Sequence, residues 1–100
     1  MAARGQGVFA ISVAARMASM EIQNLRVYER RGLLEPDRTA GGTRLYSEAD
    51  VERLVRIGEL LAEGLNLAGI HRVLELEEAN RRLRVELDRV RSRGAGRRSP

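Results

Sequence analysis

Apolar positions recur at helical spacing in four places, and polar or glycine-rich stretches separate them. After the short apolar lead Val8-Phe9-Ala10-Ile11, Val13 with Met17 and Ala14 with Ala18 fall four residues apart. They predict a helix over 13–18 with Ser12 as its N-cap. Ser19-Met20-Glu21 interrupts the pattern. Ile22, Leu25 and Tyr28 then mark one side of a second helix over 22–31, and Gly32 suits the C′ position beyond it. Two short helices joined by a three-residue turn form a helix-turn-helix unit.

The stretch from Leu33 to Tyr46 carries Pro36 and Gly41-Gly42. The glycine pair reads as the tip of a small hairpin, a wing beside the helix pair. Ser47-Glu48-Ala49-Asp50 resembles a capping box and opens a third helix, ending near Glu63 and Gly64, with Val51, Leu54, Val55, Ile57, Leu60 and Leu61 inward. Asn66 caps a fourth helix that is expected to run from Leu67 to about Arg93.

That last helix carries a heptad seam. Val73, Asn80 and Leu87 occupy one core position; Gly69, Leu76, Leu83 and Val90 occupy the other. Val73, Leu76, Asn80, Leu83, Leu87 and Val90 are therefore candidate dimerisation residues, with Asn80 as a register-fixing polar residue. Arg72 with Glu77 and Glu86 with Arg91 would pair in a parallel coil, so the seam alone leaves the orientation open.

The expected architecture is mainly α: a winged helix-turn-helix domain over 8–70, then a long C-terminal dimerisation helix (coiled coil) over 67–93. Residues 1–7 and the basic tail 94–100 are expected to be disordered and flexible. Arg4 followed by Val8–Ala15, broken by Ser12 and closed by Arg16, makes a poor secretory leader.

Composition narrows the chemistry. The 100 residues include no cysteine, one histidine and 18 basic residues, every one an arginine. A thiolate metal site and a thiol nucleophile are excluded, and His71 by itself makes no zinc site. No carboxylate pair, nucleophile triad or phosphate-binding loop is evident, so neither an enzyme nor a bound cofactor or metal is expected. Residues 1–46 hold seven arginines against four acids, whereas 47–93 hold nine against ten. The excess positive charge thus falls on the helix pair and hairpin, which suits double-stranded DNA.

The second helix fits the major groove. Gln23, Asn24, Arg26, Val27 and Arg30 point outward from it. Glutamine and asparagine can read adenine edges, and arginine guanine. Arg38 and Arg44 on the hairpin suit phosphates. Tyr28 can reach a phosphate with its hydroxyl while its ring packs. The candidate DNA-binding set is Ser12, Gln23, Asn24, Arg26, Tyr28, Arg30, Arg38, Thr39, Arg44 and Tyr46, although the ring of Tyr46 also suits the core.

The run Leu25-Arg26-Val27-Tyr28-Glu29-Arg30-Arg31-Gly32-Leu33-Leu34-Glu35-Pro36, followed by Arg38-Thr39, Gly41-Gly42 and Arg44-Leu45-Tyr46-Ser47-Glu48-Ala49-Asp50-Val51, resembles the MerR family of bacterial transcription regulators. Ile11-Ser12-Val13-Ala14-Ala15, Arg38–Gly42 and Glu63–Ile70 resemble its heat-shock repressor branch, HspR. Members often carry Gly-(Val/Met)-x-Pro where this chain has Ser19-Met20-Glu21-Ile22. The resemblance implies a winged helix-turn-helix homodimer on an inverted repeat, joined by an antiparallel coiled coil. It implies DNA contacts from Arg26, Tyr28 and Arg44. It also implies a cytoplasmic, nucleoid-associated repressor of chaperone genes, with a DnaK-type chaperone as a co-repressor. No effector segment is expected beyond the coil. Two other readings are an architectural or cooperative DNA-binding protein of the same fold, excisionase-like or filament-forming, and a coiled-coil adaptor between proteins.

Overall fold

A computed structural model describes residues 3–97, with side chains as far as Gly94. The described elements are α1 (Ile11–Met17), α2 (Ile22–Arg30), β1 (Asp37–Arg38), β2 (Arg44–Leu45), α3 (Glu48–Ala62) and α4 (Leu67–Arg97). They fall into two compact units that divide between Ile70 and His71.

In the first unit, α1 starts earlier than the sequence pattern predicts. Its N-cap is Ala10, whose carbonyl accepts the amides of Val13 and Ala14 at 3.0 Å each, and no side chain caps it. Ser12 lies inside the first turn and caps nothing. The cause is a long-range pairing. The amides of Val8 and Phe9 both donate to the Tyr46 carbonyl at 2.9 Å, and the Tyr46 amide returns a 2.7 Å bond to Phe9. This bridge holds residues 8–10 extended, so the helix begins as soon as it ends.

The same tie corrects the expected disorder of residues 1–7, as far as they are described. The Ala49 amide donates to the Arg4 carbonyl at 3.1 Å, and the Arg4 guanidinium pairs with Glu52. The Gly7 amide donates to Asp37 Oδ2 at 2.8 Å. Gly7 packs so tightly on β2 that a Cβ there would lie 2.5 Å from the Leu45 carbonyl oxygen.

Helices α1, α2 and α3 end in one manner. Each closes with the paired backbone bonds of a Schellman motif: Met20 to Ala15 with Ser19 to Arg16, Leu33 to Tyr28 with Gly32 to Glu29, and Leu65 to Leu60 with Gly64 to Leu61. The left-handed residue is Gly32 (φ 76°) after α2 and Gly64 (φ 93°) after α3, but Ser19 (φ 56°) after α1.

Strands β1 and β2 pair antiparallel, Asp37 opposite Leu45 and Arg38 opposite Arg44. The turn between them closes with the Gly42 amide donating to Thr39 at 2.9 Å. The capping box at α3 is complete: the Asp50 amide donates to Ser47 Oγ at 3.0 Å and the Ser47 amide to Asp50 Oδ2 at 2.9 Å. Helix α3 buries Val51, Leu54, Ile57 and Leu60, a narrower stripe than expected. Val55 and Leu61 are exposed because they fall off that three-residue stagger. Tyr46, Leu25, Leu33, Leu54, Ile57 and Ile70 are the largest fully buried side chains. Met17, four residues from Val13, is exposed, since α1 buries only Ala14 and Ala15.

Asn66 caps α4 as expected, its Oδ1 accepting the Gly69 amide at 2.8 Å. The helix does not stop at Gly94 but continues to Arg97. A single interior glycine costs a helix only about 1 kcal/mol, and Gly94 does not take up the left-handed conformation that ends α2 and α3. The expected flexible tail is thus helical over 94–97, and its remainder, 98–100, lies outside the described residues. In the second unit Leu76, Leu83, Leu87 and Val90 are all exposed, as is Asn80, while Val73 is half-buried.

Candidate nucleic-acid interface

Helix α2 has two faces with different duties. Leu25 and Tyr28, three residues apart, are buried and anchor it. Gln23, Arg26 and Arg30 follow one another at spacings of three and four, which places them together on the opposite face. All three are exposed, and so is the neighbouring Asn24. Val27 is half-buried between the two faces. Of the outward set expected from the sequence, Gln23, Asn24, Arg26 and Arg30 are presented to solvent and Val27 only in part.

The hairpin stands against α2 through one carboxylate. Glu29 Oε2 accepts from Arg38 Nη2 at 3.0 Å, and Glu29 Oε1 accepts from Arg44 Nε. Arg38 Nη1 also donates to the Gly42 carbonyl at 3.0 Å. Arg38 and Arg44 sit directly opposite each other across the strands. Two like charges in that register repel, and the Glu29 carboxylate offsets the repulsion. The Glu29 side chain is only 19% exposed, which strengthens both pairs relative to open surface ones.

This network changes the reading of the hairpin arginines. The sequence offers both to phosphates, yet in the fold both are partnered within the protein. Glu29 itself was missed. On its own helix its neighbours give it no obvious role, because both of its partners lie on the hairpin. The sequence signals were its place in a basic segment with few acids and its position inside the Tyr28-Glu29-Arg30 part of the family motif.

Other members of the candidate set separate by burial. Tyr46 is fully buried, so it is removed from any direct contact with DNA. Its hydroxyl finds no hydrogen-bond partner among the described residues. Burial raises its pKa, the Glu29 and Asp50 charges push it further up, and Arg44 and Arg26 oppose them. Its backbone pairs with Phe9, while its ring is among the largest fully buried side chains of the first unit. Tyr28 is 5% exposed, and burial raises its pKa as well. Thr39 holds the hairpin tip, its Oγ1 accepting the Thr43 amide at 3.1 Å while its own amide donates to the Thr43 carbonyl at 2.8 Å. Ser12 is exposed on the first turn of α1.

Arg53 of α3 braces the end of α2 from behind, its Nε donating to the Leu33 carbonyl. His71 Nδ1 lies 3.0 Å from Glu75 Oε1, one turn along α4. Among the described residues no group of three or more histidine, cysteine or acidic side chains is placed to hold a metal. None of the described helices is long and apolar enough to cross a membrane.

Two short helices, the second with an exposed polar and basic face, and a hairpin pinned to that helix define a DNA-binding domain of the helix-turn-helix class. A family model described as MerR HTH family regulatory protein matches residues 9–77, and the chain belongs to that family. It is 52% identical over 71 residues to a protein described as heat shock protein HspR from Streptomyces coelicolor, covering 70% of this chain and 47% of that one. It is 39% identical over 75 residues to the regulator GlnR of Bacillus anthracis, covering 75% of this chain and 58% of that one. The chain therefore spans about half the length of the curated relatives it matches. Among solved structures, the lead-bound transcription regulator PbrR691 of Ralstonia metallidurans superposes with a TM-score of 0.66 at 30% identity, over 89% of this chain and 77% of that one.

Proposed function

We propose that the protein is a DNA-binding transcription regulator, a repressor of heat-shock and chaperone genes that binds an inverted repeat as a homodimer. The observation that carries this reading is the exposed Gln23, Arg26 and Arg30 face of α2 beside a hairpin tied to the same helix through Glu29. In this reading α2 enters the major groove, where Gln23, Asn24 and Arg26 reach base edges. The hairpin acts as a wing against the backbone. The likeness to HspR supports the heat-shock assignment.

The dimer is part of the proposal. Leu76, Asn80, Leu83, Leu87 and Val90 repeat at alternating spacings of four and three, and Leu76 and Leu83 are 69% and 68% exposed. A coiled-coil seam between two copies of α4 covers such a stripe. In that case residues 8–70 form the winged DNA-binding domain and 67–93 the dimerisation helix. A DnaK-type co-repressor and a cytoplasmic, nucleoid-associated location belong to the same reading through the family resemblance.

The test is the salt dependence of DNA binding. A dimer that neutralises about six to ten phosphates loses ~10³–10⁵-fold in affinity between ~50 and ~200 mM salt. A complex insensitive to salt contradicts the phosphate contacts, and no complex at low salt contradicts the DNA reading itself.

A further inference from the structure

We propose that Glu29 is a positioning residue for DNA binding, one that aims the terminal guanidinium nitrogens of Arg44 at a backbone phosphate and withdraws Arg38 from that task. The inference rests on the DNA-binding reading above and gives a structural reason for unequal roles of two arginines that face each other across the hairpin.

The geometry separates them. Arg44 gives Glu29 its Nε, the nitrogen nearest the chain. Among the described residues no hydrogen bond engages its two terminal NH₂ groups, and the side chain is 37% exposed. An arginine held in this way keeps a planar pair of donors for a phosphate. Arg38 is arranged in the opposite sense. Its Nη2 donates to Glu29 and its Nη1 to the Gly42 carbonyl, so both terminal nitrogens are already engaged. Arg38 ties the hairpin tip to α2 through Glu29, whereas Arg44 is oriented by Glu29 and remains open at its far end. Because Glu29 lies on α2, between Arg26 and Arg30, the phosphate grip of the hairpin is referenced to the helix that reads the bases.

Charge alone and positioning predict opposite signs. If Glu29 only neutralises arginines, its removal adds one positive charge per protomer and tightens binding to any DNA. If Glu29 positions Arg44, its removal leaves a mobile guanidinium and weakens binding.

The experiment titrates the full chain against a random-sequence duplex across a salt series, for the wild type, Glu29→Gln, Arg44→Gln and Arg38→Gln. Arg44→Gln is expected to lower the salt slope by about one phosphate per protomer. Glu29→Gln is expected to weaken binding about ten-fold, as for a lost charged hydrogen bond, with the same drop in slope. Arg38→Gln should leave the slope unchanged. Tighter or unaltered binding by Glu29→Gln overturns the inference. So does an Arg38→Gln slope that falls as far as that of Arg44→Gln, a comparison that still decides if Glu29→Gln does not fold. A wild-type protein that fails to bind the duplex at low salt overturns the DNA reading instead.

Discussion

Ser19 occupies after α1 the backbone position that Gly32 occupies after α2. Both are left-handed, at φ 56° and 76°, and in both the residue's own amide and the next one close a Schellman motif. A residue with a Cβ is disfavoured there by roughly 1 kcal/mol. The family resemblance leads one to expect glycine at this point, and the backbone supplies the reason. Ser19→Gly is therefore expected to raise stability by about 0.5–1 kcal/mol in urea unfolding, and Ser19→Val to lower it further than serine does. A destabilised Ser19→Gly would mean that the serine side chain contributes something the backbone geometry does not reveal.

Arg26 is an exposed arginine on the outward face of α2, and among the described residues no hydrogen bond or ion pair ties it as Glu29 ties Arg38 and Arg44. Arg26→Ala should cost about 1–3 kcal/mol on the preferred site and relax the choice at one base pair. Competition binding against a panel of single-base variants checks this. Equal loss on every sequence would make Arg26 a phosphate contact rather than a base reader.

Leu83 sits at the middle of the exposed α4 stripe. A carboxylate buried in a coiled-coil core is costly, so Leu83→Asp should convert the dimer to monomer in sedimentation. DNA binding should weaken with it, because two half-sites are no longer engaged together. An unchanged sedimenting mass would remove the coiled coil from the account.

Alkaline stability isolates the two tyrosines. The chain has no lysine and no cysteine, so Tyr28 and Tyr46 are the only side chains that ordinarily titrate near pH 10. Burial raises both pKa values in the fold. Above about pH 10 the unfolded chain releases protons that the fold retains, and stability falls as pH rises. Below that pH the contribution is fully present. The urea midpoint should hold level towards pH 9 and decline beyond about pH 10, by at most ~1.4 kcal/mol per pH unit for each tyrosine. Tyr46→Phe should halve the decline. It should cost little stability at neutral pH, because the buried hydroxyl it removes has no partner among the described residues.

Elements set by local chemistry were legible in the sequence. The start of α3 follows from Ser47 and Asp50, the ends of α2 and α3 from Gly32 and Gly64, and the hairpin tip from Gly41-Gly42. Elements set by long-range pairing were not. Residues 8–10 are extended because of Tyr46, which moves the start of α1 off Ser12, and the segment at 3–7 is ordered through Ala49 and Asp37. In the candidate site, the exposed face of α2 followed from helical spacing. The roles of Arg38, Arg44 and Glu29 did not, since a carboxylate on one element that binds two arginines on another leaves no periodic trace. Tyr46 shows the same limit: a tyrosine next to a basic hairpin suits DNA and core equally, and only its full burial decides.

The most direct test of the central claim is selection of bound fragments from the source genome by the purified full chain at about 150 mM salt. The account predicts enrichment of an inverted repeat upstream of chaperone genes. Direct repeats or enrichment without a motif would contradict the dimeric repressor and favour an architectural binder, and no enrichment at all would contradict DNA binding as the function.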